Sequence, residues 1–369
     1  MSANPGNKFR CAVISVVKHD YVPNGVIAND RFELVVVTDD DDQPDWVHER
    51  NQTFADQHDI PYVRNVEKAI HDFDVQVGIV SSAAERHCEL SIRAAEAGLH
   101  VVQDKPMSTK LSECDRLVEA VNRNKVKFLL WNRNFLPALV HAQQVLAEGK
   151  IGDLLAIHVD FYFAKDSGPP KGSRLPGEPP INWLERQLEA HADGSDGGVG
   201  SEPMGELKIE GIYPLAYIRM LAGVDVRRVF ARTTAHFHQA NVDNDVDDLA
   251  TVTLEMEGGL VGSLCLGRIG AASHPNIGEI KLHLVGTEGA LVINEAAPEV
   301  SIYYRGQPPT EFRSRRMAID NDFLLADDFA RAIDTDGETI LDAHAGRAIT
   351  ATVLAAIDSG RSGAPVSVK

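Results

Sequence analysis

A carboxylate, an amine and an imino acid stand together at Asp104, Lys105 and Pro106, directly after an apolar run that begins at Leu99. In an open α/β sheet, ligands bind in the crevice beyond the carboxyl ends of the strands, so a lysine at such an end can reach a bound substrate. Pro106 lacks a backbone N–H and fixes the direction of the chain beside the lysine. An ordinary strand-to-helix turn with a solvated lysine would have the same sequence, and this stretch alone leaves both interpretations open.

The apolar runs on either side of this stretch predict a parallel sheet. Runs without polar alternation are typical of strands that are buried on both faces. They alternate here with segments whose apolar residues recur at helical spacing, which predicts a doubly wound sheet with right-handed crossovers. We therefore expect a Rossmann-like domain over residues 8–130. Its predicted strands are 11–17, 32–38, 75–81, 100–103 and 127–131, and its predicted helices are 45–58, 85–97 and 109–124.

The turn after the first predicted strand is where such a domain would bind a dinucleotide. The typical pattern is GxGxxG, because glycine lets the backbone approach the pyrophosphate while helix N–H groups point at it. From Ile14 onward, this chain has no glycine before Gly25. Backbone N–H groups of residues 18–22 can still hold a phosphate, but the Cβ atoms of these residues would crowd it.

The second predicted strand ends in a carboxylate, Asp39, about 20 residues beyond the first turn, the distance at which dinucleotide sites place an acidic residue. Such a carboxylate accepts hydrogen bonds from both hydroxyls of an adenosine ribose. It also repels a 2′-phosphate, so Asp39 favours NAD over NADP. Residues 39–42 are all aspartate, however, and a run of this kind is equally typical of a solvated loop.

The rest of the chain predicts a second domain of the α+β class over residues 131–369. An alternating strand is expected at 155–163 and a helix at 207–221. Between them, the segment 164–205 is rich in Gly, Pro and Ser, and a loop of that length is usually functional or disordered. From Val229 onward, strands separated by short glycine turns predict a large open sheet that is mostly antiparallel.

Several short motifs in this order resemble those of the Gfo/Idh/MocA family, which is named for glucose–fructose oxidoreductase, inositol dehydrogenase and a rhizopine-catabolism protein. The stretch at Lys105 resembles the family's Glu-Lys-Pro motif at the end of a Rossmann strand. The segment Asn132-Arg133-Asn134 resembles the family's Asn-x-Arg segment at the domain junction. The likeness covers nearly the whole chain, roughly residues 9–369.

The resemblance implies that Tyr213 is the acid/base residue. Most members have a helix with the pattern Asp-x-Gly-x-His, and the matching segment here has Ile209, Gly211 and Tyr213 at the three named positions. A tyrosine at this place is similar to the glucose–fructose oxidoreductase and dihydrodiol dehydrogenase branches, in which tyrosine donates and accepts the proton. Tyr213 would then relay a hydroxyl proton with Lys105, since an adjacent ammonium favours the ionised phenol. Ile209 departs from the family's aspartate, and a buried helical tyrosine with a satisfied hydroxyl is the structural alternative for Tyr213.

Position and resemblance together indicate further residues that would contact the cofactor or the substrate. No metal site is expected, because His236 and His238 have no HExxH-like helix or Cys/His set beside them. Surface placement is the alternative for Arg133, Arg268 and His274. The expected cofactor-binding residues are Ser15, Val17, Lys18, His19, Asp39, Ser81, Ser82, His87, Asp104, Lys105, Asn132 and Arg133, and the expected substrate-binding residues are Lys105, Arg133, Trp183, Tyr213, Arg268 and His274.

Composition narrows the partners and the compartment. The net charge of −18 gives no attraction to nucleic acid or to an anionic membrane, so neither is expected as a partner. The cysteines lack CxxC spacing and are typical of a reducing compartment. The first ten residues have no apolar signal-peptide region, and no apolar run approaches the ~18 residues of a membrane span. We expect a cytoplasmic protein, and the family resemblance implies a homodimer or homotetramer.

These observations leave three hypotheses for the function. The first is an NAD-dependent oxidation or reduction of a sugar, polyol or related hydroxy compound, with Tyr213 as the acid/base and Lys105 beside it. The second is a non-redox binding or regulatory protein that has lost the cofactor, which the missing glycines of the first turn favour. The third is an elimination or glycoside cleavage that uses tightly held NAD with no net redox change.

Overall fold

The described part of this computed structural model forms two compact units. The first contains the described residues among 8–132 together with 321–347, and the second contains the remainder. Three expected site residues, Lys18, Trp183 and His274, lie outside the described residues, as does most of the segment 164–205. The described residues are 8–17, 19–163, 184, 188, 203–268, 279–294, 299–304, 314–315 and 321–369.

The first unit is built on a parallel sheet. Among the described residues its strands are β1 Phe9–Val16, β2 Phe32–Thr38, β3 Tyr62–Val63, β4 Val77–Ser81, β5 His100–Gln103 and β6 Phe128–Leu130. They lie in the order β3-β2-β1-β4-β5-β6, and every neighbouring pair is parallel. The predicted doubly wound α/β fold is confirmed. Because the order reverses between β1 and β4, the carboxyl ends of these two strands flank the crevice in which such sheets bind ligands.

Helices α1 to α5 connect these strands. The three predicted helices are present, whereas the sequence missed α1, α3 and β3. The strand β3 has two residues, and α3 buries only Val66 and Ala69, so neither repeats an apolar pattern often enough to be recognised. The bounds are α1 Tyr21–Ile27, α2 Asp45–Gln57, α3 Val66–Asp72, α4 His87–Glu96 and α5 Leu111–Asn124.

The second unit contains the large open sheet. Its strands within the described residues are β7 Leu154–Phe163, β8 Val226–Thr234, β9 Leu249–Met256, β10 Val261–Arg268, β11 Glu279–Gly286, β12 Gly289–Asn294, β13 Glu299–Tyr304, β14 Ser314–Arg315 and β15 Val366–Ser367. They follow the order β14-β13-β12-β11-β7-β10-β9-β8-β15. Only the described pair β7 and β10 is parallel, with Leu266 opposite Phe161, so the predicted mostly antiparallel sheet is confirmed.

Residues alternate along these strands between a buried face and an exposed face. In β9, for example, Ala250, Val252 and Leu254 are buried, whereas Thr251 and Thr253 are exposed. This period of two is the pattern of a sheet that is covered on one side only. The helices described after β6 are α6 Pro137–Ala147, α7 Glu206–Glu210, α8 Ile212–Ala222, α9 Gln239–Asp243, α10 Asn321–Thr335 and α11 Ala343–Ser362.

The helix predicted over 207–221 is two helices, α7 and α8, which meet at Gly211. Pro214 has no backbone N–H to donate to the carbonyl of Glu210, so the helical hydrogen bonds are interrupted at this point. A Cβ atom at Gly211 would lie 2.4 Å from the carbonyl oxygen of Leu207. The junction therefore requires glycine, and the prediction of one continuous helix is wrong.

The helix α10 belongs to the first unit, although the sequence assigned everything after residue 130 to the second domain. Its Phe329 stacks on Phe32 of β2, with ring centroids 6.1 Å apart. Near its end, Asp334 Oδ2 lies 2.8 Å from Arg31 Nη1. These contacts join segments that are about 300 residues apart in sequence, which no local pattern reveals. Among the described residues, no helix combines the length and the apolar character needed to cross a membrane.

Candidate active site

Asp104 and Lys105 are buried at the carboxyl end of β5. Lys105 is 4% exposed and Asp104 is completely buried, so the interpretation of Lys105 as a solvated residue is wrong. The backbone N–H of Lys105 donates to Asp104 Oδ1 at 2.7 Å, and Asp104 Oδ2 lies 2.5 Å from His19 Nδ1. The backbone N–H of Asp104 donates to the carbonyl of Val80 at 2.8 Å, which extends the β4–β5 pairing to the carboxylate.

Asp104 is an ionised carboxylate at neutral pH. Burial raises its pKa, but the positive charge of His19 and the hydrogen bond to its ring outweigh burial, and charges at His87 and Lys105 add to the effect. The net result is a pKa of about 2. The buried ammonium of Lys105 therefore has a carboxylate as its chain neighbour, and the pair brings both charges to the crevice beyond β5.

The last two residues of β1, Ser15 and Val16, belong to the tight turn that continues beyond the strand, and this turn contains no glycine. Ser15 is buried with a φ of 63°, a conformation that glycine adopts without strain and other residues seldom adopt. The backbone N–H of Val16 donates to Asn51 Oδ1 at 2.8 Å, and that of Val17 donates to the carbonyl of Ser81 at 3.0 Å. Two backbone donors of the turn are thus satisfied by the chain itself.

A cavity of about 260 Å³ lies beside this turn. The hydroxyl of Ser81 donates to the carbonyl of His19 at 2.6 Å and so ties β4 to the rim of the cavity. A guanidinium from α2 gives the cavity a positive group. Residues that line it include Val16, Val17, His19 and Asp20 from the turn and Arg50 and Thr53 from α2.

Asp39 is completely buried at the end of β2, and two side chains donate to it. Arg86 Nη1 donates to Oδ1 at 2.9 Å, and Asn51 Nδ2 donates to Oδ2 at 3.2 Å. Arg86 also bonds Asp40 Oδ2 at 2.9 Å. The interpretation of Asp39 as part of a solvated loop is therefore wrong, and its charge is balanced by Arg86.

His87 connects the start of α4 with the turn beyond Lys105. Its ring is completely buried, with Nδ1 2.7 Å from the carbonyl oxygen of Pro106 and Nε2 3.0 Å from that of Ser82. Two carbonyl neighbours are both satisfied only when both ring nitrogens carry a proton, because a neutral ring has one N–H. In this arrangement His87 holds the turn in place, and Ser82 is held with it.

In the second unit, Tyr213 lies near the start of α8 and is 5% exposed. Its ring stacks on Phe161 of β7, with centroids 6.2 Å apart. The guanidinium carbon of Arg133 lies 4.9 Å from the centroid of the tyrosine ring, which is a cation–π distance. The structure thus brings Arg133 and Tyr213 together, and Arg133 is half-buried rather than a plain surface residue.

Arg268, at the end of β10, is buried between two carboxylates. Its Nε lies 2.5 Å from Glu206 Oε1 and its Nη2 lies 3.3 Å from Glu210 Oε1. Arg268 is 3% exposed, so the alternative of surface placement is wrong for this residue.

Asn132 is also buried, and its Nδ2 donates to the carbonyl of Leu130 at 2.7 Å, where it holds the end of β6.

Sequence reasoning missed four residues that shape these sites: Asn51, Arg86, Glu206 and Glu210. Asn51 and Arg86 meet their partners over 35 and 47 residues of sequence, and no local pattern predicts such contacts. Glu206 and Glu210 had a signal, because two acids four residues apart lie on one face of a helix. The lysine of this helix, Lys208, is two residues from each acid and lies on another face. Two acids on one face without a cation beside them indicate a cation supplied by another element.

The two units together define a class of protein: a doubly wound nucleotide-binding fold with a charged strand end, joined to a unit built on an open sheet. Residues 9–131 match the family described as oxidoreductase family, NAD-binding Rossmann fold, and residues 203–292 match the GFO/IDH/MocA C-terminal domain. The chain belongs to the Gfo/Idh/MocA family of oxidoreductases, and the resemblance inferred from the motifs is confirmed.

Two curated relatives show the range of similarity. An uncharacterized oxidoreductase, YrbE of Bacillus subtilis, is 24% identical over 328 residues, 87% of this chain and 86% of its own length. The trans-1,2-dihydrobenzene-1,2-diol dehydrogenase of Bos taurus is 28% identical over 218 residues, 58% of this chain and 55% of its own length. The name of the second relative states a diol as its substrate.

Solved structures share the fold over nearly the whole chain. An inositol dehydrogenase homolog from Azotobacter vinelandii in complex with NAD⁺ superposes with a TM-score of 0.78 at 18% identity, covering 99% of this chain and 100% of its own. Levoglucosan dehydrogenase in complex with NADH has a TM-score of 0.77 at 20% identity and covers 98% of this chain and 100% of its own.

Proposed function

We propose that the protein is an NAD-dependent dehydrogenase or reductase that acts on a hydroxyl-bearing carbon of a sugar, polyol or related hydroxy compound. The observation that carries the proposal is the guanidinium of Arg133 at 4.9 Å from the ring of buried Tyr213. A cation at this distance favours the ionised phenol over the neutral one. A phenol poised in this way is suited to accept a hydroxyl proton and to return it.

In this proposal Tyr213 is the acid/base, and Lys105 orients the substrate hydroxyl. Proton transfer by a positioned side chain typically contributes a factor of ~10²–10⁴ to the rate. Ionised Asp104, its neighbour in the chain, favours the charged form of Lys105, whereas burial opposes that form. Arg133 supports the phenolate and contacts the substrate, and Arg268, Trp183 and His274 are proposed as further substrate contacts.

The residues of the first unit fit a nicotinamide dinucleotide at the turn after β1. Ser15 supplies the left-handed backbone conformation that glycine usually supplies, and the cavity beside the turn contains the guanidinium of Arg50. When bound, NAD provides the hydride acceptor of the reaction and NADH the donor. Residues proposed to hold it at the strand ends are Ser15, Val17, Lys18, His19, Ser81, Ser82, His87, Asp104, Lys105, Asn132 and Arg133.

Asp39 is proposed to accept the hydroxyls of the adenosine ribose and to favour NAD over NADP. Both of its oxygens already accept a hydrogen bond, but a carboxylate has about four acceptor sites. Because Asp39 is completely buried, Arg86 must move aside before a ribose can reach it. The preference for NAD is therefore expected to be modest, since the same arginine can pair with a 2′-phosphate.

Titration of the purified protein with NADH and NADPH, followed by nicotinamide fluorescence, tests this proposal. We expect saturable binding of NADH at micromolar concentrations and weaker binding of NADPH. A panel of sugars and polyols with NAD⁺ should then contain at least one compound that yields NADH. Absence of NADH binding at millimolar concentration would exclude the proposed function.

A second candidate, a non-redox binding protein of the family, is favoured by one observation. The N–H groups of Val16 and Val17 and the oxygens of Asp39 are engaged by the chain's own atoms. If these contacts persist in solution, no dinucleotide binds and a sugar binds alone. Calorimetric titration of the same sugar panel without cofactor distinguishes the two candidates.

We also propose that the protein is a homodimer or homotetramer that associates through the open face of its sheet. Phe230 and Val261 are 37% and 49% exposed. They lie on strands β8 and β10, and each alternates with buried neighbours, which places both on the exposed face of the sheet. Large apolar side chains on an exposed face are typical of association surfaces.

A further inference from the structure

Three charged side chains of the second unit are buried together, and the two carboxylates among them have no role in the proposed reaction. Glu206, Glu210 and Arg268 are 2%, 5% and 3% exposed. Arg268 Nε meets Glu206 Oε1 at 2.5 Å, and Arg268 Nη2 meets Glu210 Oε1 at 3.3 Å. We refer to these residues as the buried triad. It joins α7 to the end of β10.

The charges of the buried triad do not balance when every group is ionised. Arginine stays protonated in proteins, so two carboxylates against one guanidinium leave one net negative charge. An unbalanced charge in a buried site is strongly unfavourable unless a proton neutralises it. Asp247 stands close by with its Oδ2 accepting the backbone N–H of Leu207 at 2.9 Å, and its negative charge makes the imbalance larger.

The local geometry allows Glu206 to carry the proton. Glu206 Oε1 accepts from Arg268, whereas Glu206 Oε2 is buried and has no hydrogen-bond partner among the described residues. An ionised oxygen in that position would be a charge without a donor. Burial raises the pKa of Glu206, Arg268 lowers it and Glu210 raises it again, with a net value of about 7.

The groups that face the triad come from several elements. Burial also raises the pKa of Asp247, to about 6, although the N–H of Leu207 opposes the shift. His238 Nε2 lies 2.9 Å from the carbonyl oxygen of Arg268. The charged or titratable neighbours are Arg268 on β10, Glu210 and Lys208 on α7, Asp247 and Asp248 before β9, and His238.

The triad is connected to Tyr213 by a short and rigid path. Glu210 is followed by Gly211, where a Cβ atom would lie 2.4 Å from the carbonyl of Leu207, and α8 begins at the next residue. On the sheet side, Arg268 follows Leu266, which is paired with Phe161, the residue that stacks on Tyr213. Movement of α7 relative to β10 would therefore displace the tyrosine ring from its support.

We propose that Glu206 is a positioning residue that holds one proton on Oε2 at neutral pH, and that the balanced triad keeps Tyr213 in place on Phe161. Loss of that proton at alkaline pH leaves the triad with a net negative charge and loosens α7 from β10. The part of the inference that concerns Tyr213 rests on the proposed function, whereas the location of the proton does not.

Equilibrium unfolding in urea from pH 5 to pH 9, with the full-length wild type and E206Q, tests where the proton is. A carboxyl whose pKa is raised in the folded protein lowers stability as the pH rises from the unfolded value of 4.5 to about 7. The unfolding equilibrium constant of the wild type should therefore increase by roughly 300-fold from this group over that range. E206Q, which imitates the protonated carboxyl, should lack that component.

Two further variants sharpen the result. E210Q removes a neighbouring negative charge, so the pH at which Glu206 loses its proton should fall. The decline in stability, which still begins near the unfolded pKa, should therefore end at lower pH and be smaller. E255Q changes an exposed glutamate that pairs with Arg228, and it should leave the profile unchanged. If E206Q and the wild type show the same pH dependence, Glu206 is ionised and the inference fails.

The connection to Tyr213 has its own readout. With a substrate from the sugar and polyol panel, kcat of the wild type should decline at alkaline pH, and E206Q should lose this decline while the Kd for NADH stays the same.

If E206Q does not fold, titration of the wild type labelled with ¹³C-glutamate, followed by NMR, must show a carboxyl that titrates near pH 7, and its absence overturns the inference. A wild type that fails to bind NADH contradicts the proposed function but leaves the unfolding and NMR results decisive for the proton.

Discussion

At the residue scale, Tyr213 and Asp104 depend on the charges placed next to them. Tyr213 has the guanidinium of Arg133 over its ring, and Asp104 has the imidazole of His19 within 2.5 Å. In both cases a cation stabilises the negative form of a buried acid. Burial without such a cation would disfavour that form. Glu206 differs because its cation, Arg268, is shared with a second carboxylate, Glu210.

Replacing Tyr213 by phenylalanine removes the hydroxyl and keeps the stacking on Phe161. We expect kcat/KM to fall by at least ~100-fold, because the loss of a general acid/base costs ~10²–10⁴ in rate. The Kd for NADH should stay the same. Steady-state kinetics and fluorescence titration measure the two quantities.

Tyr217 provides the matched control for this variant. It lies one turn further along α8 and also contacts Phe161, with ring centroids 6.1 Å apart. Y217F should keep activity within a few-fold of the wild type. Equal losses in Y213F and Y217F would show that the effect comes from helix packing rather than from the Tyr213 hydroxyl.

Replacing Asp104 by asparagine tests the ion pair with His19. The folded pKa of about 2 lies below the ordinary value of 3.8, so the carboxylate stabilises the fold above pH 4, and this contribution disappears as the pH falls towards 2. D104N should lose about 2 kcal/mol of unfolding free energy at pH 7. The difference from the wild type should shrink steadily below pH 4 in urea unfolding experiments.

An exposed ion pair serves as the control for D104N. Asp72 pairs with Lys68 at the surface of α3, where solvent screens the charges. D72N should therefore have the same unfolding free energy as the wild type at pH 7 and below pH 4. A D104N protein with unchanged stability at neutral pH would contradict the ionised Asp104.

At the element scale, α2 is fastened to the first turn by one side chain. Asn51 accepts the N–H of Val16 and donates to Asp39 and to the carbonyl of Val47. It thereby links the ends of β1 and β2. In dinucleotide-binding folds of this kind, the glycine-rich turn and the carboxylate that binds the ribose lie at these two strand ends. The strands and helices were predictable from apolar runs. The hydrogen bonds of Asn51 were not, because they join separate elements through a polar residue.

Replacing Asn51 by alanine leaves the buried N–H of Val16 without its acceptor. An unsatisfied buried donor typically costs ~1–3 kcal/mol, and we expect a loss of that size in urea unfolding. Gln52 is the control, because it is the next residue of α2, is exposed and bonds only Asp56 among its described side-chain partners. Q52A should be close to the wild type, because alanine is at least as good a helix former as glutamine. An equal loss in both variants would show that the N–H of Val16 is not the cause.

At the scale of the whole molecule, the open sheet is the feature that the family resemblance and the exposed side chains both mark as an association surface. An aspartate at position 261 would place a charge on the same exposed face of the sheet as Phe230. We expect V261D to reduce the mass measured by light scattering to that of a single chain, while the wild type shows two or four chains. F323D changes an apolar residue of α10 that is 43% exposed, and it should keep the wild-type mass; a wild type of single-chain mass would contradict the proposed oligomer.

The fold was largely predictable because its signals are local. Strands buried on both faces appear as unbroken apolar runs, and the long helices repeat an apolar face over three or more turns. The break at Gly211 and the assignment of α10 to the first unit were not predictable, because a carbonyl from the preceding turn and a phenylalanine about 300 residues away decide them. Short elements such as β3 failed for lack of enough residues to show a period.

By itself, the sequence determined the α/β class, the family and the positions of Lys105 and Tyr213, since these follow from patterns within a few residues and from motifs in a given order. Only the tertiary structure decided the state of those groups. Burial and charge partners depend on which side chains meet across the fold: His19 on Asp104, Arg86 on Asp39, Arg133 on Tyr213 and Arg268 between two glutamates. Electrostatic energies in a protein are set by distance and exposure to water, and a linear sequence contains neither quantity.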